Sequence, residues 1–262
     1  MSKMLEQCGY RLSCWLSCPR PWHRPECRIE DREVLAHLRP GDVLLVEGSS
    51  RLSTVIKYLT QSSWSHAALF VGHEAAQGAG GDETACLVEA DLAEGVRLVG
   101  YDEFRGVPLR ICRPVGLEAE EIEALIRFAC KRVGHHYDLS NLFDLGRYLL
   151  PLPPVPEPWR RRMLGLGSGD PTRAICSTLI AQAFQAVHYP ILPIEALPRA
   201  EPTPAGDQRR VWRRRHYSLF TPRDFDLSPY FQIVKPALQA GFDPHHLIWQ
   251  ASEERLPARD RQ

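Results

Sequence analysis

Apolar residues along this chain come in two rhythms, short continuous runs and stretches spaced three to four apart, and their order predicts a series of strands flanked by helices. A short helix is predicted over Asp31–Leu38. Pro40 and Gly41 then turn the chain into a strand, Asp42–Val46. Leu52, Val55, Ile56 and Leu59 recur at helical spacing, so 52–60 reads as one amphipathic helix. From Trp64 to Gly72 the chain is apolar apart from polar Ser65 and a single ionisable residue, His66, as in a central strand. A glycine-rich turn at 78–81 leads to strands over Ala85–Ala90 and Gly95–Val99, with a further strand over Arg110–Arg113. The short connections favour an antiparallel meander.

Helical spacing returns over Glu118–Val133, where Ile122, Leu125, Ile126, Ala129 and Val133 form one face and Gly134 can end the helix. Its acidic residues crowd the first turns and its basic ones the last, which suits the helix dipole. Pro151–Pro158 breaks regular structure and reads as a surface loop or insertion. Cys176 opens the next helix, with Leu179, Ile180, Ala183, Phe184 and Val187 on one face and an end before Pro190. Phe231–Val234 reads as a last strand. The expected organisation is an irregular extension over 1–30, a single catalytic domain over 31–236 and a tail over 237–262.

Composition narrows the function classes. With 262 residues, 44% of them hydrophobic, the chain can bury a full core. Its 32 basic residues balance 32 acidic ones, so no global field favours nucleic acid or an acidic substrate. Eight cysteines without an N-terminal run resembling a secretory signal fit reduced thiols in a cytoplasm. Leu12-Ser13-Cys14 has the look of a lipoprotein cleavage site but lacks the apolar run such a signal needs. Nothing approaches the ~20 apolar residues that cross a bilayer, so any membrane contact is expected to be peripheral.

Three polar residues stand where chemistry can use them. A thiol at a helix N-terminus is pushed toward thiolate by unpaired amides and the helix dipole, which is the position of Cys176. The same amides can hold an oxyanion. A cysteine at the head of an apolar helix is otherwise a small buried residue. His66 and Glu89 each lie in a run of apolar neighbours, where an unpaired polar group is costly. Neighbouring strands would let Glu89 fix one ring nitrogen of His66 while the other faces the thiol, the logic of a nucleophile, a base and an orienting group.

Pro40-Gly41-Asp42-Val43-Leu44-Leu45, Trp64-Ser65-His66-Ala67-Ala68-Leu69-Phe70-Val71-Gly72, Val88-Glu89-Ala90 with Gly95-Val96, Gly134-His135-His136-Tyr137-Asp138, and Cys176-Ser177-Thr178-Leu179-Ile180 together resemble the circularly permuted branch of the NlpC-type papain-like cysteine hydrolases. In unpermuted relatives the cysteine precedes the histidine, whereas here His66 comes first. The resemblance covers about residues 36–190, with 221–236 as a further match. It implies an α+β papain-like fold, circularly permuted, with an antiparallel sheet packed against the helix that carries the nucleophilic cysteine. It also implies Cys176 as nucleophile, His66 as base and Glu89 as third polar group, with no cofactor and no metal. The activity implied is cleavage of an amide or related acyl bond through a thioester acyl-enzyme. Acyl transfer or thioester hydrolysis on lipids, and a silent lipid- or peptide-binding module, are the alternatives. The expected substrate is a small-molecule, peptide or lipid-like acyl compound.

Other motifs point less far. Cys8, Cys14, Cys18, His23 and Cys27 lack the two-residue spacing of a zinc knuckle, and with Trp15, Leu16 and Arg11 they equally suit acylation or a membrane surface. Arg160-Arg161-Arg162 and Arg209–Arg215 could meet anionic lipid or nucleic acid, although a solvated basic surface is the commoner meaning of such runs. Gly165, Gly167 and Gly169 follow no strand and lack a lysine, which argues against a phosphate loop. The adjacent pairs His135-His136 and His245-His246 point apart on any regular element and make poor metal clamps.

Overall fold

The computed structural model describes residues 31–91, 94–135, 175–196 and 211–239. The sequence features at 1–30, 151–158, 160–162, His136-Tyr137-Asp138, Gly165 to Gly169 and His245-His246 lie outside the described residues. In chain order the elements are α1 (Asp31–His37), β1 (Val43–Val46), α2 (Arg51–Thr60), β2 (His66–Phe70), α3 (His73–Gly78), β3 (Ala85–Asp91) and β4 (Gly95–Gly100). A 3₁₀ turn (Tyr101–Phe104), β5 (Leu109–Pro114), α4 (Ala119–Cys130), α5 (Ile175–Ala186), β6 (Ile194–Ala196) and β7 (Val211–Arg213) follow. A second 3₁₀ turn (Tyr217–Leu219), α6 (Pro222–Leu227), β8 (Phe231–Val234) and α7 (Pro236–Gln239) complete the order. The expected strands and long helices are all present. The elements that periodicity did not announce, α3, β6, β7, α6, α7 and the two 3₁₀ turns, are six residues or fewer, too short to show a period.

Six strands form one antiparallel sheet in the order β4-β3-β2-β1-β5-β8. The meander holds for β1 to β4, but β5 returns across the sheet to pair with β1 rather than extending beyond β4, with Leu44 opposite Ile111. A buried ion pair anchors that crossover. Arg113 on β5 donates to both carboxylate oxygens of Asp42, at 2.8 and 2.7 Å, and to the His37 carbonyl at the end of α1. Gly41 makes the preceding turn with φ of 92°, and a Cβ there would meet nothing closer than 3.6 Å. Glycine is thus required by the backbone conformation rather than by space.

The pleat of the sheet sends alternate residues to two separate apolar clusters. Val43, Leu45, Ala67, Leu69 and Val88 face Leu179, Ile180, Ala183 and Phe184 of α5. Leu44, Val46, Ala68, Phe70 and Leu87 face Val34 and Leu38 at α1, together with Tyr101 and Phe104. Phe184 is fully buried, within ring contact of Tyr189, Phe225 and Phe231, which ties α5 to α6 and β8. Helix ends are satisfied locally: Ser50 accepts from the Ser53 amide at the start of α2, and Glu118 with Glu121 forms a reciprocal cap on α4.

Candidate active site

The site forms where the pairing of β2 with β3 stops. That ladder runs only over Leu69↔Val88 and Phe70↔Leu87. Along β2 the amides of odd-numbered residues point toward β3, as Val71 donating to the Cys86 carbonyl shows. With the ladder ended, the amide of Ala67 has no partner on β3 and is turned toward Cys176, the second residue of α5, where it favours the thiolate. The unpaired edge of β2 thus becomes a donor aimed at the thiol.

His66, Ala68 and Phe70 share one face of β2, and Glu89 lies on the same face of β3, two residues beyond the partner of Phe70. Across the opened ladder His66 Nε2 and Glu89 Oε2 are 2.6 Å apart. The other ring nitrogen is left for Cys176, whose thiol lies close enough for each group to shift the other's protonation. Phe104 stacks on the imidazole at 6.1 Å between ring centroids and limits its rotation. The structure therefore brings Cys176, His66 and Glu89 together. Glu89 and Cys176 are buried, at 4% exposure each, whereas the His66 side chain is one quarter exposed.

Burial by itself raises a carboxyl or thiol and lowers an imidazole, because it penalises the charged form. Each group overcomes that penalty through its neighbours. Burial would push His66 down, but the negative charge and hydrogen bonds of Cys176 and Glu89 hold it well above its usual range. Burial would raise Cys176, but His66, the Ala67 amide and the Ser177 hydroxyl bring it below an ordinary thiol. Burial would raise Glu89, but hydrogen bonds and charge from His66 and Arg97 keep it below an ordinary carboxyl. The three directions agree in favouring the charged forms, thiolate, imidazolium and carboxylate, over their neutral counterparts.

Arg97 on β4 is the participant that sequence reasoning missed. It donates from Nε to Glu89 Oε1 at 2.8 Å and from its NH2 group to the same oxygen at 2.6 Å, leaving Oε2 for His66. Glu94, at 3.1 Å, and Glu103, at 3.8 Å, hold the guanidinium from outside. A signal did exist, since the turn that sets Asp91 opposite Gly95 places Arg97 directly across from Glu89. Ala67 left no such trace, because its contribution is a backbone amide.

An antiparallel sheet packed against a helix that presents a cysteine to a histidine and a carboxylate on earlier strands defines an α+β fold with its polar cluster at the sheet–helix junction. Residues 37–148 match the family described as permuted papain-like amidase enzyme, YaeF/YiiX, C92 family, and the chain is similar to its members. The matched stretch includes His66, Glu89 and Arg97 and ends before Cys176. Among solved structures, the metalloprotein yiiX from Escherichia coli O157:H7 superimposes with a TM-score of 0.44 at 15% identity, over 75% of this chain and 96% of that one. No curated protein matches the chain.

Among the described residues no group of three or more His, Cys, Asp or Glu side chains is arranged to hold a metal ion. Nor is any described helix long and apolar enough to cross a membrane.

Proposed function

We propose that the chain is a cysteine hydrolase that cleaves an amide or related acyl bond through Cys176, His66 and Glu89. The observation that carries this reading is the contact of the Cys176 thiol with an imidazole whose other nitrogen lies 2.6 Å from a buried carboxylate. The thiolate of Cys176 attacks the carbonyl carbon, and the tetrahedral oxyanion accepts from amides at the head of α5, that of Cys176 included. His66 gives its proton to the departing amine as the C–N bond breaks, which leaves a thioester and a neutral imidazole. Water then attacks the thioester while His66 takes a proton from it. The C–S bond breaks, and the acid leaves with thiolate and imidazolium restored. Glu89 fixes the ring orientation and stabilises the imidazolium, and Arg97 holds Glu89.

A small chloroacetamide-based probe offered to the purified chain tests the pair. Labelling at Cys176 is expected in the wild type, abolished in Cys176→Ser and strongly slowed in His66→Ala. Undiminished labelling in both variants would falsify the proposal. Offering an acyl donor with and without an amine or alcohol separates hydrolysis from transfer, and free acid as the sole product is the expected result.

A further inference from the structure

At the other end of α5, about 14 Å along the helix from Cys176, the chain builds a cavity that the proposed chemistry does not use. It encloses about 270 Å³. One wall is the end of α5 with His188, which takes a left-handed turn at φ of 59°. The apolar wall is Pro190-Ile191-Leu192-Pro193, and the polar wall is Arg213-Arg214-Arg215. Strand β7 returns beside β6 with Arg213 opposite Ile194, which brings this end of the arginine run over the apolar wall.

The three guanidinium groups are not equivalent. Arg215 is spoken for: it donates to Asp224 at 3.2 Å and to the Leu219 carbonyl at 2.5 Å and lies over the Phe220 ring. Arg214 donates to Nδ1 of His188 at 2.5 Å, a contact that aims it across the cavity without neutralising it. Among the described residues neither Arg213 nor Arg214 has a carboxylate partner. Capping of α5 does not account for them either. The Phe184 and Gln185 carbonyls at the helix end accept from the Tyr189 and His188 amides, and Arg214 and Arg215 donate to other groups. Two positive charges with no carboxylate partner among the described residues, set beside an apolar wall, match a group that carries close to two negative charges and an apolar substituent.

We propose that this cavity binds a phosphate monoester, with Arg213 and Arg214 holding the phosphate and Ile191 and Leu192 contacting the substituent. The two positive charges select a phosphate dianion over a carboxylate, which carries half the charge. The site is separate from Cys176 and does not depend on the reaction there.

Titration calorimetry on the full chain tests it with phenyl phosphate, inorganic phosphate and phenol. Phenyl phosphate is expected to bind more tightly than inorganic phosphate, and phenol to give no signal. The doubly substituted chain, Arg213→Gln with Arg214→Gln, is expected to lose affinity by about tenfold or more, since each lost charge-assisted bond is worth that order. Both side chains are exposed, so an unchanged melting temperature is expected alongside. Cys176→Ser is expected to bind as the wild type does, which keeps this result independent of the hydrolase reading. Co-sedimentation with phosphatidylcholine vesicles, with and without phosphatidic acid, separates the two sources of such an ester. Sedimentation that needs phosphatidic acid identifies a lipid headgroup, and binding of phenyl phosphate without sedimentation identifies a soluble ester. Absence of binding to both phosphates, or full affinity in the double variant, overturns the proposal.

Discussion

At the residue scale the site turns on protonation. Below the lowered value of Cys176 the thiol is protonated and cannot attack, and above the raised value of His66 the imidazole is neutral and cannot protonate the leaving amine. Hydrolysis should therefore show a bell-shaped pH profile. Its acid limb lies below the 9.0 of an ordinary thiol and its alkaline limb above the 6.5 of an ordinary imidazole. The two limbs belong to the coupled pair rather than to either residue alone. Glu89→Gln removes the carboxylate that favours imidazolium, so the plateau should narrow from both sides, with turnover falling on the order of 100-fold. Alkylation of Cys176 by iodoacetamide across pH reads the acid limb directly, and an unchanged profile in Glu89→Gln argues against the carboxylate's role.

At the scale of elements, α5 matters because one helix both carries the thiol and fills the core. Its apolar face packs on β2 and β3, and Phe184 at its far turn sits against Phe225 of α6 and Phe231 of β8. Phe184→Ala should cost about 3–5 kcal/mol, the range for emptying an aromatic from a close-packed interior. Chemical denaturation measures this, and a loss below about 1 kcal/mol would mean that the cavity collapses freely. The same helix explains the position of the thiol. Packing fixes the helix against the sheet, and the early end of the β2–β3 ladder leaves the Ala67 amide to meet Cys176.

Across the whole molecule, the pairing of β5 with β1 extends the sheet on the side away from β4, with β8 at the edge beyond it, and the Asp42–Arg113 pair stands at the β1–β5 junction. Asp42 is 1% exposed. Burial raises its carboxyl, against the lowering effect of Arg113 and the Arg39 amide, so desolvation dominates and the pair is a structural commitment more than a gain in stability. Removing one partner leaves the other charge stranded. Asp42→Ala should cost about 3 kcal/mol, and Asp42→Leu combined with Arg113→Met should recover part of that loss. Thermal denaturation of the single and double variants checks this, and equal losses in both would show that the pair's charge is not what matters.

The sequence by itself determined the longer helices, the six sheet strands and the identity of the three clustered residues. Strand and helix periods are local, and an ionisable residue inside an apolar run signals a partner even when the partner is unseen. His66 and Glu89 were legible for that reason, and Cys176 for its place at a helix start. The chain order of these three, histidine before cysteine, carried the resemblance to a permuted arrangement. What only the tertiary structure decided depends on contacts between segments far apart in the chain. The return of β5 to β1, the gap between β2 and β3, and the aim of the Ala67 amide follow from register and strand order, which leave no local period. Arg97 lies between these cases, since its register is set by a short hairpin but its meaning comes from the burial of Glu89. Arg213 and Arg214 read as a solvated run in one dimension, and the fold places them beside the apolar turn that ends α5.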